Sequence, residues 1–152
     1  FPDDFIFEGD RRSQCILVGN AVPPKLAEVI GISILKHMKE INKSNTTNLE
    51  ISTAKTTSTV NKILPNIIPL ERLSKLDAKN GFIDLFCGAG GFTIGFGRAG
   101  WRPLLGIDIN PFVSETHKHN FPTINFLEKD LSKRETVEDI EKLYGGKEVG
   151  IV

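Results

Sequence analysis

The stretch from Gly81 to Asp108, GFIDLFCGAGGFTIGFGRAGWRPLLGID, constrains the fold more than any other part of this chain. Phe82-Ile83-Asp84-Leu85-Phe86 is a short apolar run of β-forming residues with one acid, and it leads straight into Cys87-Gly88-Ala89-Gly90-Gly91 before an amphipathic segment begins. That order predicts strand, tight turn and helix. Glycines in the turn admit positive φ and remove the Cβ atoms that would hold a ligand away from the backbone, so a ligand can sit over the helix N-terminus. A second apolar run, Pro103-Leu104-Leu105-Gly106-Ile107, ends in Asp108, 24 residues after Asp84. The spacing fits one βαβ unit, in which an acid at the tip of the second strand accepts hydrogen bonds from ribose hydroxyls. A nucleoside-containing ligand is the expectation, although Gly-rich strand-to-helix turns serve several cofactors and sometimes only packing.

The wording of two blocks narrows the choice. Asp84-Leu85-Phe86-Cys87-Gly88-Ala89-Gly90-Gly91 closely resembles the first motif of the DNA cytosine-5 methyltransferases, which binds S-adenosylmethionine. Val18-Gly19-Asn20-Ala21-Val22-Pro23-Pro24 resembles the last motif of the same family. The blocks stand in reverse order, last before first, so the chain resembles a circularly permuted or split member. The resemblance implies an α/β fold, a partial Rossmann-like S-adenosylmethionine-dependent methyltransferase fold with a parallel sheet flanked by helices. It divides the chain into a C-terminal-type motif with its packing helix (1–43), a polar linker (44–62) and the N-terminal-type, cofactor-binding half of the domain (63–152).

Composition sets the outer bounds. The chain has 152 residues, 39% hydrophobic and 25% charged, which suits one small domain core in a soluble protein. The net charge is zero and basic residues adjoin only as Arg11-Arg12 and Lys133-Arg134, so the chain lacks the electrostatic footprint of a self-sufficient DNA binder. No apolar run approaches the ~20 residues of a membrane span, and the N-terminus lacks the pattern of a secretion signal, so a cytoplasmic protein without membrane association is the expectation. Cys15 and Cys87 have neither metal spacing nor a disulfide framework; both read as structural, and no metal site is expected. His37, His117 and His119 read as solvated helix-face residues.

Along the chain, Phe1-Pro2-Asp3 resembles the tail of a longer family segment, so the first residue is not expected to be the natural beginning. Glu8, Asp10, Arg11 and Arg12 form a charged patch, Cys15 to Val18 a short buried element, and Gly19-Asn20 a turn. From Lys25 to Asn42 the residues Leu26, Val29, Ile30, Ile34, Met38 and Ile41 recur at helical steps, predicting an amphipathic helix with that stripe in the core. Ser44 to Asn61 reads as a linker. Ile63 to Leu76 is expected to rest on the domain surface, with a short helix over Leu70 to Leu76. Phe92, Ile94, Phe96 and Ala99 line the next helix, which Gly100 ends; Gly95 and Gly97 inside it suggest close packing on the sheet. Asn110 caps a helix with Pro111 at its first position. Ile124-Asn125-Phe126 is a third strand, Glu135 to Leu143 a charged helix, Gly145-Gly146 a turn and Glu148 to Val152 a fourth strand.

By the family pattern, the glycine turn (Asp84, Cys87, Gly88, Ala89, Gly90, Gly91) would cradle the methionine and ribose end of the cofactor, with Phe86 against the adenosine. Asp108 would hold ribose hydroxyls, with Ile109 beside the adenine where many relatives carry a bulkier side chain. Asp130 and Leu131 would take the adenine, and Asn20, Ala21 and Val22 would close over the ligand. Asp130 reads equally as the cap of a helix beginning near Ser132. The family reaction needs a flipped cytosine and a thiolate that attacks its ring, from a Pro-Cys loop after the fourth strand. No Pro-Cys occurs in this sequence, so no catalytic residue is assigned. Three readings follow: the cofactor-binding part of a restriction-modification type DNA cytosine-5 methyltransferase that needs a missing segment or partner carrying that loop and the DNA-recognition region; a non-catalytic cofactor-binding or regulatory remnant; and a dinucleotide-binding oxidoreductase fragment. The last has the βαβ spacing but leaves Gly-Asn-Ala-Val-Pro-Pro unexplained.

Overall fold

The computed structural model describes residues 1–46, 80–145 and 149–152. Five helices and four strands follow one another among them: α1 (Arg11–Asn20), α2 (Pro24–Thr46), β1 (Gly81–Leu85), α3 (Gly91–Arg98), β2 (Arg102–Asp108), α4 (Pro111–Asn120), β3 (Asn125–Glu128), α5 (Arg134–Tyr144) and β4 (Gly150–Ile151). The strands are all parallel, in the order β3-β2-β1-β4. This is the expected parallel sheet flanked by helices, a Rossmann-like arrangement. The chain order reverses between β1 and β4, so β1 and its turn stand at the point where open α/β sheets bind ligands.

Strand alternation sorts the core onto two faces. Ile83, Leu105 and Ile107 point to the side where Ile140 and Tyr144 of α5 pack. On the other side Phe82 meets Phe96 of α3, Trp101 and Ala27 of α2. The N-terminal segment is strapped to α4: Asn120 accepts the Ile6 N–H at 3.0 Å and donates back to the Ile6 carbonyl at 2.6 Å, while Thr116 Oγ1 accepts the Glu8 N–H at 2.9 Å. Phe5 joins Ile94, Phe121 and Ile124 beneath this strap.

The βαβ unit, the Asn110 cap (Phe112 N–H to Oδ1, 3.0 Å), α4, β3 and α5 stand within a few residues of their predicted positions. Several other expectations are corrected. Cys15 to Asn20 belong to α1, which Asp10 caps by accepting the Ser13 N–H at 2.8 Å; only Leu17 of that helix is buried, Cys15 is exposed, and Gly19-Asn20 end the helix instead of forming a turn. α2 runs to Thr46, past the predicted end at Asn42 and into the expected linker.

Its orientation is also different. The stripe assigned to the core is exposed, from Ile30 at 36% to Val29 at 56%, and the buried positions are Pro24, Ala27 and Gly31. The cause is close approach: a Cβ on Gly91 would lie 1.9 Å from the Val22 carbonyl oxygen, and one on Gly95 would lie 2.4 Å from Ala27 Cβ. Small residues let α2 and α3 meet backbone to backbone, and Trp101 Nε1 locks the pair by donating to the Gly31 carbonyl at 3.0 Å. Gly95 therefore serves the α2 contact and not the sheet contact inferred from sequence. By mean hydropathy Arg11–Ile41 is long and apolar enough to cross a membrane, contrary to the sequence expectation, but it is two helices joined at Ala21–Pro23. Most of the linker, the surface segment from Ile63, the short helix over Leu70 to Leu76 and Gly146 lie outside the described residues.

Candidate functional site

The glycine turn is built by three backbone devices. Phe86, the last residue before it, takes φ +55°, a left-handed conformation that costs an L-residue roughly 1–2 kcal/mol. The kink puts its ring out into solvent, 74% exposed. Gly90 follows at φ +82° and caps α3, with its N–H closing the turn on the Cys87 carbonyl at 2.9 Å. An alanine at Gly90 would be strained by that φ and would also meet the Phe121 ring at 2.6 Å.

Asp108 ties this turn to the next strand. Its Oδ2 accepts the Gly88 N–H at 3.1 Å and its Oδ1 accepts the Asn110 N–H at 3.0 Å, so one carboxylate joins the turn after β1 to the cap of α4. Each oxygen has a further lone pair, and the side chain is only half-buried. Ile109 beside it is 63% exposed. A Cβ built on Gly88 would meet nothing closer than the Phe86 carbonyl oxygen at 4.0 Å, so the outer side of the turn is open. An open glycine face, two exposed apolar side chains and a carboxylate with free lone pairs fit a ribose-bearing ligand with a flat ring.

Not every predicted residue faces that space. Asp84 is 1% exposed and turned into the α3 contact, where its Oδ2 accepts from Thr93 N–H at 3.0 Å and from Thr93 Oγ1 at 2.7 Å. Burial is the main influence on its carboxyl and pushes it up to about 7, against the Thr93 hydrogen bonds. Cys87 and Ala89 are buried against Leu17 and Val113, with burial raising the Cys87 thiol well above its ordinary range. Gly91 is covered by the Val22 carbonyl, Ala21 packs against the Cys87 cluster, and Asn20 is exposed at the end of α1. The last-motif block thus lies beside the N-terminus of α3. Asp130 Oδ1 accepts the Ser132 N–H at 2.9 Å, which lowers its carboxyl, and its carbonyl accepts Thr136 Oγ1 at 2.7 Å; Leu131 packs on the Ile107 cluster. Asp130 therefore organises the turn before α5, although the residue at the helix cap is Lys133.

Residues 81–147 match the family of C-5 cytosine-specific DNA methylases. The match takes in the glycine turn, Asp108 and Asp130 and leaves out α1 and α2. Type II methyltransferase M1.HphI of Haemophilus parahaemolyticus is 49% identical over 51 residues, 34% of this chain and 14% of that protein. M.DdeI of Desulfomicrobium norvegicum is 33% identical over 70 residues, 42% of this chain and 17% of its own length. M.XorII of Xanthomonas oryzae pv. oryzae is 50% identical over 40 residues, 26% and 9% of the two chains. The chain spans less than a fifth of each of these relatives. No solved structure matches it. Part of the chain is thus similar to a cytosine-5 DNA methyltransferase domain, of the lineage that uses S-adenosylmethionine.

Two residues whose parts the sequence analysis did not give matter here: Thr93, which it left unremarked, and His117, which it misplaced. Thr93 holds Asp84, and its signal was a polar side chain on the inward face of α3. His117, read as solvated, is 1% exposed: its ring lies 4.9 Å from Phe121 and 4.8 Å from Phe126, and a Cβ on Gly106 would stand 2.8 Å from its Nε2. Gly106 makes the room for it. Burial pushes His117 down to about 4, so it is neutral near pH 7. His119 is partly exposed, with Nδ1 3.0 Å from Glu8 Oε1.

Proposed function

We propose that this chain is the S-adenosylmethionine-binding part of a DNA cytosine-5 methyltransferase of restriction-modification type, acting on DNA in the cytoplasm. The observation that carries the reading is the Asp108 carboxylate, which links Gly88 and Asn110 at the carboxyl end of β2 while keeping lone pairs free beside an open glycine turn. Asp108 would accept the ribose hydroxyls, and Phe86 and Ile109 would border the adenine. The Asp130–Leu131 corner would meet the adenine edge, and Asn20 to Val22 would bound the methionine end. The bound group supplies an electrophilic methyl.

The residues of this chain bind and orient; none supplies the thiolate. That group would come from a segment or partner polypeptide carrying the Pro-Cys loop and the DNA-recognition region. The division into 1–43, 44–62 and 63–152 and the circular permutation belong to the same proposal. What supports the permutation is the seat of the Val22 carbonyl against Gly91, next to the turn formed by the first-motif block.

Calorimetric titration with S-adenosylmethionine and with NAD tests the reading. Saturable binding of the first alone, weakened at least ~10-fold in a folded Asp108→Ala chain, is the expected result; a tenfold loss corresponds to about 1.4 kcal/mol. Tighter binding of NAD would replace the reading with a dinucleotide fragment. Binding without any methylation of DNA when a Pro-Cys-bearing partner is supplied would leave a non-catalytic remnant.

A further inference from the structure

Cys87 of the glycine turn and His117 of α4 meet over Gly106 of β2. A Cβ built on Gly106 would lie 2.8 Å from His117 Nε2 and 3.2 Å from Cys87 Sγ, so both atoms border the space that this glycine leaves. His117 is 1% exposed and Cys87 7%. Neither imidazole nitrogen has a hydrogen-bond partner among the described residues. Burial in that state is costly for a polar group, and the lone pair of a neutral imidazole is a metal ligand in waiting. The two residues stand 30 positions apart in the chain, so their spacing in the sequence does not show the pair.

We propose that Cys87 and His117 are the two ligands of a soft monovalent cation, copper(I) by class, held in line between Sγ and Nε2. Thiolate selects copper(I), and imidazole suits copper as well. Ordinary bond lengths of about 2.3 Å to sulfur and about 2.0 Å to nitrogen set the ligand atoms about 4.3 Å apart. That separation is open to two atoms lying 2.8 and 3.2 Å from one point. An ion on the line between them displaces only a proton: the Cys87 thiol releases it to solvent, Sγ and the Nε2 lone pair each bind the ion, and nothing is oxidised. Among the described residues no group of three or more histidines, cysteines and carboxylates comes together, which excludes the four-ligand geometry of structural zinc. Asp84 and Asp108, whose charges reach Cys87, are engaged by Thr93, Gly88 and Asn110, so ions that seek oxygen are not served here. Charge balance favours the same occupant. Burial and those two acids oppose a bare Cys87 thiolate, whereas thiolate and monovalent cation together are neutral. Burial also keeps His117 unprotonated near pH 7. The ion would tie the glycine turn to α4 without using the Asp108 carboxylate.

Silver(I), which needs no reductant to stay monovalent, is the first probe. In a Cys15→Ser chain, which leaves Cys87 as its one thiol, calorimetry should show tight binding of a single silver ion with release of about one proton. In NMR spectra of the same chain, silver should move the His117 ring protons and leave those of His37 and His119 in place. His117→Phe and Cys87→Ser should each weaken binding at least ~100-fold, since changes even beyond the ligands cost about 10–100-fold. Copper(I), titrated without oxygen against a chromophoric chelator, should bind at the same stoichiometry. No tight binding by the Cys15→Ser chain, silver but not copper(I) bound, unchanged affinity in His117→Phe, or shifts at His37 or His119 in place of His117 would each overturn the site. The ring-proton result decides where a variant does not fold.

Discussion

Asp84→Asn separates a packing role for the motif aspartate from a ligand-binding one. In the native chain the carboxylate is buried and its Oδ2 takes both Thr93 donors. Burial raises it to about 7, against an ordinary value near 4 when the chain unfolds. The folded state therefore holds the proton more tightly. The stability that this group contributes is fully present below about pH 4, is lost as pH rises to about 7 and is level above that. Three pH units correspond to about 4 kcal/mol. Asparagine keeps an oxygen for both Thr93 donors and carries no charge to bury, so the variant should match the native chain below pH 4. Its advantage should grow through the window to about 4 kcal/mol at pH 8. Urea unfolding of both chains at intervals from pH 4 to pH 8 measures that difference. A difference independent of pH, or a variant less stable at pH 8, would refute the reasoning. The side chain faces α3, so affinity for S-adenosylmethionine should change less than about threefold, or under 0.7 kcal/mol.

Other substitutions probe the remaining contacts. Gly91→Ala drives a methyl into the Val22 carbonyl and should cost about 1–3 kcal/mol in urea unfolding, with faster hydrogen exchange in the first half of α2. His117→Phe removes a ring whose nitrogens have no hydrogen-bond partner among the described residues. The native histidine is lowered to about 4, so it withdraws stability as pH falls from about 6.5 to about 4. The variant should be flatter across that window by about 3 kcal/mol, read from thermal unfolding at several pH values. Asn120→Ala cuts the two hydrogen bonds to Ile6 and one to the Thr116 carbonyl, and should cost about 1–3 kcal/mol and speed proteolysis within residues 1–10.

What was legible in the sequence is what depends on local chemistry. The run from Phe82 to Asp108 fixes strand, turn and helix through apolar spacing and glycines, and Asn110-Pro111 marks the start of α4. What was illegible depends on which surfaces meet. Hydrophobicity ranks Leu26, Ile30 and Ile34 above Pro24, Ala27 and Gly31, yet the latter set packs, because Ala27 and Gly31 let α2 approach Gly95 and Ala99 closely. His117 could not be placed without knowing that Gly106 lies opposite it. Asp84 and Asp108 look alike as acids in the βαβ unit; strand alternation and Thr93 send the first into the core, and the position at the tip of β2 leaves the second at the mouth.

The most direct test of the account is an amide-resolved NMR titration of the full chain with S-adenosylhomocysteine, which occupies the same seat without a transferable methyl. The account predicts saturable shifts at Gly88, Ile109, Asn110 and Ser132, with little change at Glu138 to Lys142 on the far side of α5. Saturation that moves α5 and leaves Gly88 and Ile109 unmoved, or no shift at all in a folded chain, would contradict a ligand seat at the glycine turn and Asp108.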